Sequence, residues 1–286
     1  MAEQFELGFA LVACPVSDFH ESEVAMRSYL FVPGDRPERF SKALAAKADV
    51  VILDLEDAVA TSNKPLAREH VRKAVEEGAQ VMLRINGFGS PEFADDLALL
   101  RGLPIRGVML PKAETIEPMV ELRTVTSAPI IPLIESALGL WQVLTVARAP
   151  GVERLAFGSI DFQVDVGCDG SDEALLHARS QIVLVSRVAG LQAPVDGVSV
   201  ALDDEALIAV ESRRSRSLGF AGKLCIHPKQ VPVVNQAFSP STKELDWARR
   251  VIAATEQSGG AAVSVDGAMV DLPVLMKAQN LLALAE

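Results

Sequence analysis

Eight short apolar runs alternate with helix-patterned segments between Ser28 and His227, and this alternation restricts the fold more than any other property of the chain. The runs cover residues 29–32, 50–53, 81–85, 107–110, 130–134, 154–157, 194–198 and 222–226. Continuous apolar runs of this length read as strands buried on both faces of a parallel sheet. Pro37 and Pro65 sit where helices begin. Phe40, Leu44 and Ala48 follow the first at helical spacing, and Val71, Ala74 and Val75 follow the second. Further helices are predicted over 92–100, 116–126, 137–147, 175–189 and 204–218. Eight strand–helix units predict a (β/α)8 TIM barrel over an open doubly wound sheet. The 286 residues exceed the ~250 that such a barrel takes, and a hydrophobic fraction of 49% supplies its core.

Both ends of the chain differ from this pattern. Residues 1–25 mix Phe, Gly, Asp and Glu without a period and read as an N-terminal extension, with the barrel over 26–238. Residues 239–286 form a C-terminal helical extension. A helix is predicted over 241–256, capped by Ser241 or Thr242 with Glu244 in its first turn. Ser258-Gly259-Gly260 ends it, a short strand over 262–265 leads into an Asp266-Gly267 turn, and a last helix covers 273–284. This extension is expected to leave the barrel and pack on a neighbouring subunit.

Charged residues stand at or near the strand ends: Asp54, Arg84, Lys112, Glu135 and Asp161. In a barrel the C-terminal strand ends form the active face. Glu135 and Asp161 each close an apolar run, and two carboxylates on neighbouring strands suit a hard cation, Mg²⁺ or alternatively Mn²⁺. No histidine lies beside either, which disfavours Zn²⁺. Spacing alone leaves helix capping or pairing with arginine open for each. The Arg84 fork, before Asn86-Gly87-Phe88-Gly89, suits a bidentate carboxylate; its alternative is a structural pairing with Glu56 or Asp57. Asp54, Glu56 and Asp57 read either as groups that orient metal-bound water or as an ion-pair network with Lys64, Arg68 or Lys112. His227, before Pro228, reads as a hydrogen-bonded structural residue rather than a base. A Schiff-base role for Lys112 is the weaker reading beside a carboxylate pair. His20, His70 and His177 stand in no motif.

Several function classes are excluded or disfavoured. A net charge of −11 and an aromatic content of 5% argue against nucleic acid and anionic lipid as partners. No run approaches the ~18 apolar residues of a membrane span. The acidic first residues lack the basic start of a signal peptide. Cys14, Cys168 and Cys225 are far apart, with neither metal spacing nor a disulfide framework. These features predict a cytoplasmic protein. There is no dinucleotide fingerprint, Walker loop or nucleophile elbow.

Seven motifs, in order, carry a resemblance. They are Arg27-Ser28-Tyr29-Leu30-Phe31-Val32-Pro33-Gly34, Leu53-Asp54-Leu55-Glu56-Asp57-Ala58-Val59, Leu83-Arg84-Ile85-Asn86 and Met109-Leu110-Pro111-Lys112-Ala113-Glu114. Leu133-Ile134-Glu135-Ser136, Phe157-Gly158-Ser159-Ile160-Asp161 and Ile226-His227-Pro228-Lys229-Gln230 complete the set. From about Arg27 to the C-terminus the chain resembles the citrate lyase β-subunit-like family of the HpcH/HpaI aldolase superfamily.

The resemblance implies a Mg²⁺-dependent barrel that cleaves or forms the C–C bond of a 3-hydroxyacyl thioester of the citryl, malyl or citramalyl type. It implies Glu135 and Asp161 as metal ligands and Arg84 as the arginine that binds the keto acid. Asp271, in Met269-Val270-Asp271-Leu272-Pro273, matches the C-terminal aspartate that enters a neighbour's site in relatives, in a homotrimer or hexamer. Arg27, Arg36 and Arg39, on or beside the first βα unit, become candidates for the thioester's phosphates. Coenzyme A is favoured over an acyl carrier protein as the thioester carrier. The extension before Met26 lies outside the family pattern.

Overall fold

The computed structural model of the chain describes residues 26–257 and 263–285. The extension over 1–25 and the Ser258-Gly259-Gly260 break lie outside the described residues. The eight predicted strands are present as β1 (Ser28–Pro33), β2 (Val50–Asp54), β3 (Met82–Arg84), β4 (Gly107–Leu110), β5 (Ile130–Ile134), β6 (Ala156–Phe157), β7 (Val195–Asp196) and β8 (Gly222–Cys225). Each pairs in parallel with the next, and β8 returns to β1 with Ser28 opposite Lys223, which closes the barrel.

Alternation along each strand sorts the side chains into two cores. Tyr29, Ile52, Met82, Met109, Ile131 and Leu224 fill the barrel interior. Leu30, Leu53, Leu83, Val108, Leu110 and Phe157 point outward into the layer shared with the helices. The β2–β3 register ends with Asp54 opposite Arg84, and the β5–β6 register ends with Ile134 opposite Phe157. Residues that follow these pairs therefore meet at the C-terminal mouth.

The structure differs from the sequence reading in several bounds. β6 and β7 are each two residues long, shorter than the apolar runs, because the chain leaves the ladder while its side chains remain buried. The helix Asp172–Val188 starts three residues before the predicted one, because the Ser171 side chain accepts from the Ala174 N–H and caps it there. The segment 137–147 is two helices, Ala137–Trp141 and Val143–Ala147, broken at Gln142; apolar spacing continues across the break and does not register it. Two helices were not read from the sequence, Ser159–Val166 and Gln230–Phe238. The second has a visible signal in Val231, Val234, Ala237 and Phe238, all buried.

The C-terminal extension builds a small core of its own. Ser241 and Glu244 cap the helix Thr242–Gln257 reciprocally: Ser241 Oγ accepts from the Glu244 N–H at 3.2 Å, and Glu244 Oε2 accepts from the Ser241 N–H at 2.7 Å. Asp266 and Gly267, with φ of 52° and 80°, turn β9 (Val263–Val265) into antiparallel β10 (Ala268–Val270). Both positive φ values suit the tight turn of a two-residue hairpin. Through Ala278 and Leu281 the helix Leu272–Ala283 closes the unit over Ala248, Val251, Val265 and Val270. Arg216 Nη2 lies 3.1 Å from Glu244 Oε1 and ties the extension to the barrel of its own chain. Among the described residues no helix is long and apolar enough to cross a membrane.

The layered core sets a stability expectation. Leu83→Ala, at a fully buried site between barrel and helices, should cost about 2–5 kcal/mol in urea unfolding. Leu66→Ala, half exposed on the helix Lys64–Glu76, should stay within about 0.5 kcal/mol.

Candidate functional site

A cavity of about 400 Å³ opens at the C-terminal mouth of the barrel, lined among others by Phe31, Asp54, Arg84, Glu135, Asp161 and Ile226. Larger depressions lie between helices and beside the C-terminal extension, but neither gathers strand-end carboxylates.

Asp54 and Arg84 form its rigid wall. Arg84 Nε and Nη2 donate to the two oxygens of Asp54 at 2.7 and 2.6 Å, a bidentate pair across the β2–β3 register. Asp54 also accepts from the N–H groups of Glu56 and Ala58 at 3.0 and 3.2 Å. Arg84 Nη1 lies 3.1 Å from Glu56 Oε2, and the guanidinium sits 4.7 Å from the centre of the Phe31 ring. The forked edge expected to grip a ligand carboxylate is thus taken up by Asp54. Burial alone would lower the Arg84 pKa, but the bonds to Asp54 and the charges of Glu56 and Glu135 outweigh it and raise it. Arg84 therefore presents a fixed positive charge, held by its neighbours.

Glu56 and Glu135 carry the strain of this arrangement. Both are buried, at 6% and 4% exposure. Burial pushes the Glu56 carboxyl up to about 7, with Asp57 and Asp54 adding and Arg84 and Lys112 opposing. Burial pushes Glu135 up to about 8; Glu56 and Asp161 add to this, while the Lys112 N–H and Arg84 oppose it. Glu135 Oε1 accepts from the Lys112 N–H at 2.7 Å. Lys112 holds φ of 50°, left-handed and uncommon for a side chain of this size. Its side chain is 59% exposed, and its ammonium lies 3.7 Å from Glu56.

Asp161 is not on a strand. β6 ends at Phe157, Gly158 turns the chain, and Asp161 lies exposed in the first turn of the helix Ser159–Val166. Gly158 is required for this approach: a Cβ there would lie 2.4 Å from Glu135 Cβ and 2.5 Å from its Oε2. The absent side chain leaves the space that Glu135 occupies. Among the described residues no group of three or more His, Cys, Asp or Glu side chains could hold a metal unaided. Two carboxylates, one of them raised by burial and by its negative neighbours, nonetheless fit a Mg²⁺-like ion, which commonly takes one or two carboxylates and completes its shell with water and substrate.

The remaining candidates separate. Asp57 lines the cavity and is exposed. Arg68 does not join Asp54, Glu56 and Asp57; it pairs with Glu92 and Asp96. Lys64 instead donates to the Glu56 carbonyl and the Asn86 side chain. Arg27 is corrected outright. It precedes β1, at the opposite end of the barrel, where Nε and Nη2 bind Asp49 at 3.0 and 3.2 Å and Nη1 donates to Ser239 at 2.8 Å. Motif proximity to the first βα unit hid which end of the strand it occupies. Arg36 and Arg39 are exposed in the segment after β1, on the mouth side, with only loose contacts to Asp35 and Glu38. Asp271 caps the last helix, accepting from the Val274 N–H at 3.3 Å, and does not line this chain's cavity. His227 Nδ1 accepts from the Lys229 N–H, a turn-closing bond. Gln230, which the sequence reading did not single out, is buried and bonded at both ends: it accepts from Ile226 and His227 N–H and donates to the carbonyls of Ser199 and Ala201.

Fold and site together define a (β/α)8 barrel with an acidic, arginine-backed pocket at its C-terminal mouth. The HpcH/HpaI aldolase/citrate lyase family matches residues 27–228, and a C–C bond lyase family of the TIM-barrel fold matches residues 182–286. The chain belongs to the HpcH/HpaI aldolase/citrate lyase family. It is 40% identical to a citrate lyase subunit beta-like protein of Mycobacterium tuberculosis, over 89% of this chain and 93% of that protein. It is 33% identical to the mitochondrial citramalyl-CoA lyase of Homo sapiens, over 94% and 88% of the two chains. The crystal structure of CitE from Mycobacterium tuberculosis in complex with magnesium, acetoacetate and coenzyme A is similar at a TM-score of 0.82. Identity there is 39%, with 92% of this chain and 99% of that one covered.

The raised carboxyls predict a pH signature. A carboxyl whose folded pKa lies above its unfolded value of ~4.3 contributes stability that is full below that value and lost as pH rises through the folded one. For Glu135 the window closes at about 8. In EDTA, the stability advantage of the wild-type chain over Glu135→Gln should therefore shrink from about pH 5 to about pH 8, read as the difference in thermal unfolding midpoints. A difference that grows over this interval would contradict the assignment.

Proposed function

We propose that this protein is a Mg²⁺-dependent carbon–carbon lyase acting on a short 3-hydroxyacyl-CoA thioester of the (S)-citramalyl-CoA or malyl-CoA type. The products are acetyl-CoA and a 2-keto acid such as pyruvate or glyoxylate. The observation that carries the reading is the pairing of Glu135 and Asp161 in one cavity beside the fixed charge of Arg84. Citramalyl-CoA lyase and CitE with magnesium and coenzyme A, among the relatives, support it.

Glu135 and Asp161 would hold the cation. Once bound, it supplies positive charge against the negative charge that develops on the keto-acid oxygens. Arg84 adds a second positive group in a partly dry wall, and Asp54 keeps it from turning away. In cleavage the substrate hydroxyl gives up its proton to solvent water and becomes the keto-acid carbonyl. The C–C bonding pair passes to the thioester α-carbon, and the resulting enolate takes up a proton to give acetyl-CoA. Asp271 of a neighbouring copy is the proposed proton donor, in a homotrimer or hexamer, since this chain's own Asp271 lies outside its cavity. Arg36, with Arg39, stands on the mouth side for the CoA phosphates. Asp57, with Asp54 and Glu56 behind it, would orient water on a bound cation. A second reading, the β subunit of a citrate lyase complex giving oxaloacetate from a citryl thioester, is favoured by the identity to the citrate lyase subunit beta-like protein. Co-purification with an acyl carrier protein would distinguish it.

A panel of citramalyl-, malyl- and citryl-CoA, assayed with Mg²⁺ and again with EDTA, tests the reading. Citramalyl- or malyl-CoA should be turned over with Mg²⁺ alone, and full activity in EDTA would end the metal mechanism. Glu135→Ala should lower kcat by at least about 100-fold. Arg36→Ala should raise KM about 2–5-fold, whereas Arg27→Ala should lower the unfolding midpoint and leave KM unchanged. Mixed oligomers of Asp271→Asn and Arg84→Ala chains should regain activity that neither variant has alone; no recovery would remove the shared site.

A further inference from the structure

Gly197 and Ser159 meet at a contact that leaves no room for a side chain. A Cβ on Gly197 would lie 2.2 Å from Ser159 Oγ, 2.8 Å from Ser159 Cβ and 3.1 Å from the Phe157 carbonyl oxygen. Ser159 opens the helix Ser159–Val166 and Asp161 lies in the same turn, so a displacement of Ser159 carries Asp161 with it. On the other side of this turn, Gly158 packs against Glu135 equally closely. The turn that bears one carboxylate is thus wedged between the other carboxylate and Gly197.

Gly197 is in turn clamped on both sides. Its N–H donates to Asp196 Oδ1 at 2.8 Å, and its carbonyl accepts from Lys223 Nζ at 2.7 Å. Asp196 and Lys223 are 1% and 2% exposed. Asp196 also accepts from Arg179 Nε at 3.0 and 3.2 Å and from Ser215 Oγ. Burying such charges costs several kcal/mol per ion before pairing, and a core of apolar residues would avoid that cost. None of these four side chains lines the catalytic cavity. They line a separate cavity of about 290 Å³ behind it, and Ser159, Ile160 and Val198 form the wall the two share.

We propose that Gly197, held on both sides by Asp196 and Lys223, is a positioning element for the cation site. Held there, it fixes Ser159, and through Ser159 it sets Asp161 against Glu135. The inference rests on Glu135 and Asp161 being the metal ligands. Outer partners of this kind are commonly worth 10–100-fold in metal affinity.

The test is Mn²⁺ binding to the full chain without substrate, followed by electron paramagnetic resonance, with the unfolding midpoint in EDTA as a separate measure of folding. Gly197→Ala should weaken Mn²⁺ binding about tenfold or more while the chain still unfolds cooperatively. Adding Ser159→Gly, which removes the two closest atoms, should recover most of the loss. Undiminished binding by Gly197→Ala overturns the proposal, and so does a loss that Ser159→Gly does not reverse. Should Gly197→Ala not fold, Ser159→Gly alone decides: emptying the contact should weaken Mn²⁺ binding several-fold, and unchanged binding overturns the proposal. A wild-type chain that binds no Mn²⁺, or binds it equally well as Asp161→Ala, would overturn the metal reading first and this inference with it.

Discussion

The barrel mouth concentrates negative charge in a place where water is scarce, and the surrounding structure is arranged by how that charge is met. Asp54 is met fully, by a bidentate arginine and two backbone N–H groups. Glu56 is met in part, by one edge of Arg84 and a distant Lys112 ammonium. Glu135 has a single backbone N–H and faces Glu56 and Asp161. Compensation thus falls away from the β2–β3 wall toward β5. A buried carboxylate without a partner either takes up a proton or binds a cation. Glu135 is thus the least compensated carboxylate of the mouth, and Asp161 adds to its negative surroundings.

This also explains why the arginine is gripped from behind. The negative charges of Glu56 and Glu135 both act on the guanidinium, and a fork free to turn would have either to pair with. Asp54, on the neighbouring strand and in register with Arg84, takes the fork and leaves one edge. The Phe31 ring under the guanidinium adds a further restraint.

Much of this was legible in the sequence. Eight apolar runs gave the barrel, and charges at their ends gave the face on which the site lies, because a parallel barrel sends every strand end to the same mouth. What sequence pattern could not give was direction and partnership. Arg27 and Arg36 flank one strand, yet they lie at opposite ends of the barrel. Arg84 reads from sequence as a carboxylate grip or as a partner of Glu56 or Asp57; the structure gives Nε and Nη2 to Asp54 and Nη1 to Glu56. Asp161 reads from sequence as closing the sixth apolar run, yet it stands four residues beyond the end of β6, because a helix starts at Ser159, directly after the Gly158 turn, and that helix had no separate apolar signal. Gly158 and Gly197 carried no signal at all. Their importance lies in atoms they lack, and that shows only when the neighbouring turn is in place.

Lys112 illustrates the same limit from the other direction. Its place at a strand end invites a role for the ammonium, and a Schiff-base lysine is the obvious one. Such a lysine needs a depressed pKa. Here burial works in that direction, but Glu56, Asp57, Glu135 and Asp161 outweigh it and raise the pKa. Most of the side chain is in solvent. The backbone is where the unusual feature lies. A left-handed φ costs roughly 1–2 kcal/mol for a residue with a Cβ, and it persists because it turns the Lys112 N–H onto Glu135 Oε1. That bond fixes one oxygen of the less exposed carboxylate, and Gly158 leaves space around the other. Lys112 therefore gives Glu135 an amide hydrogen in a fixed direction, while its ammonium reaches toward Glu56.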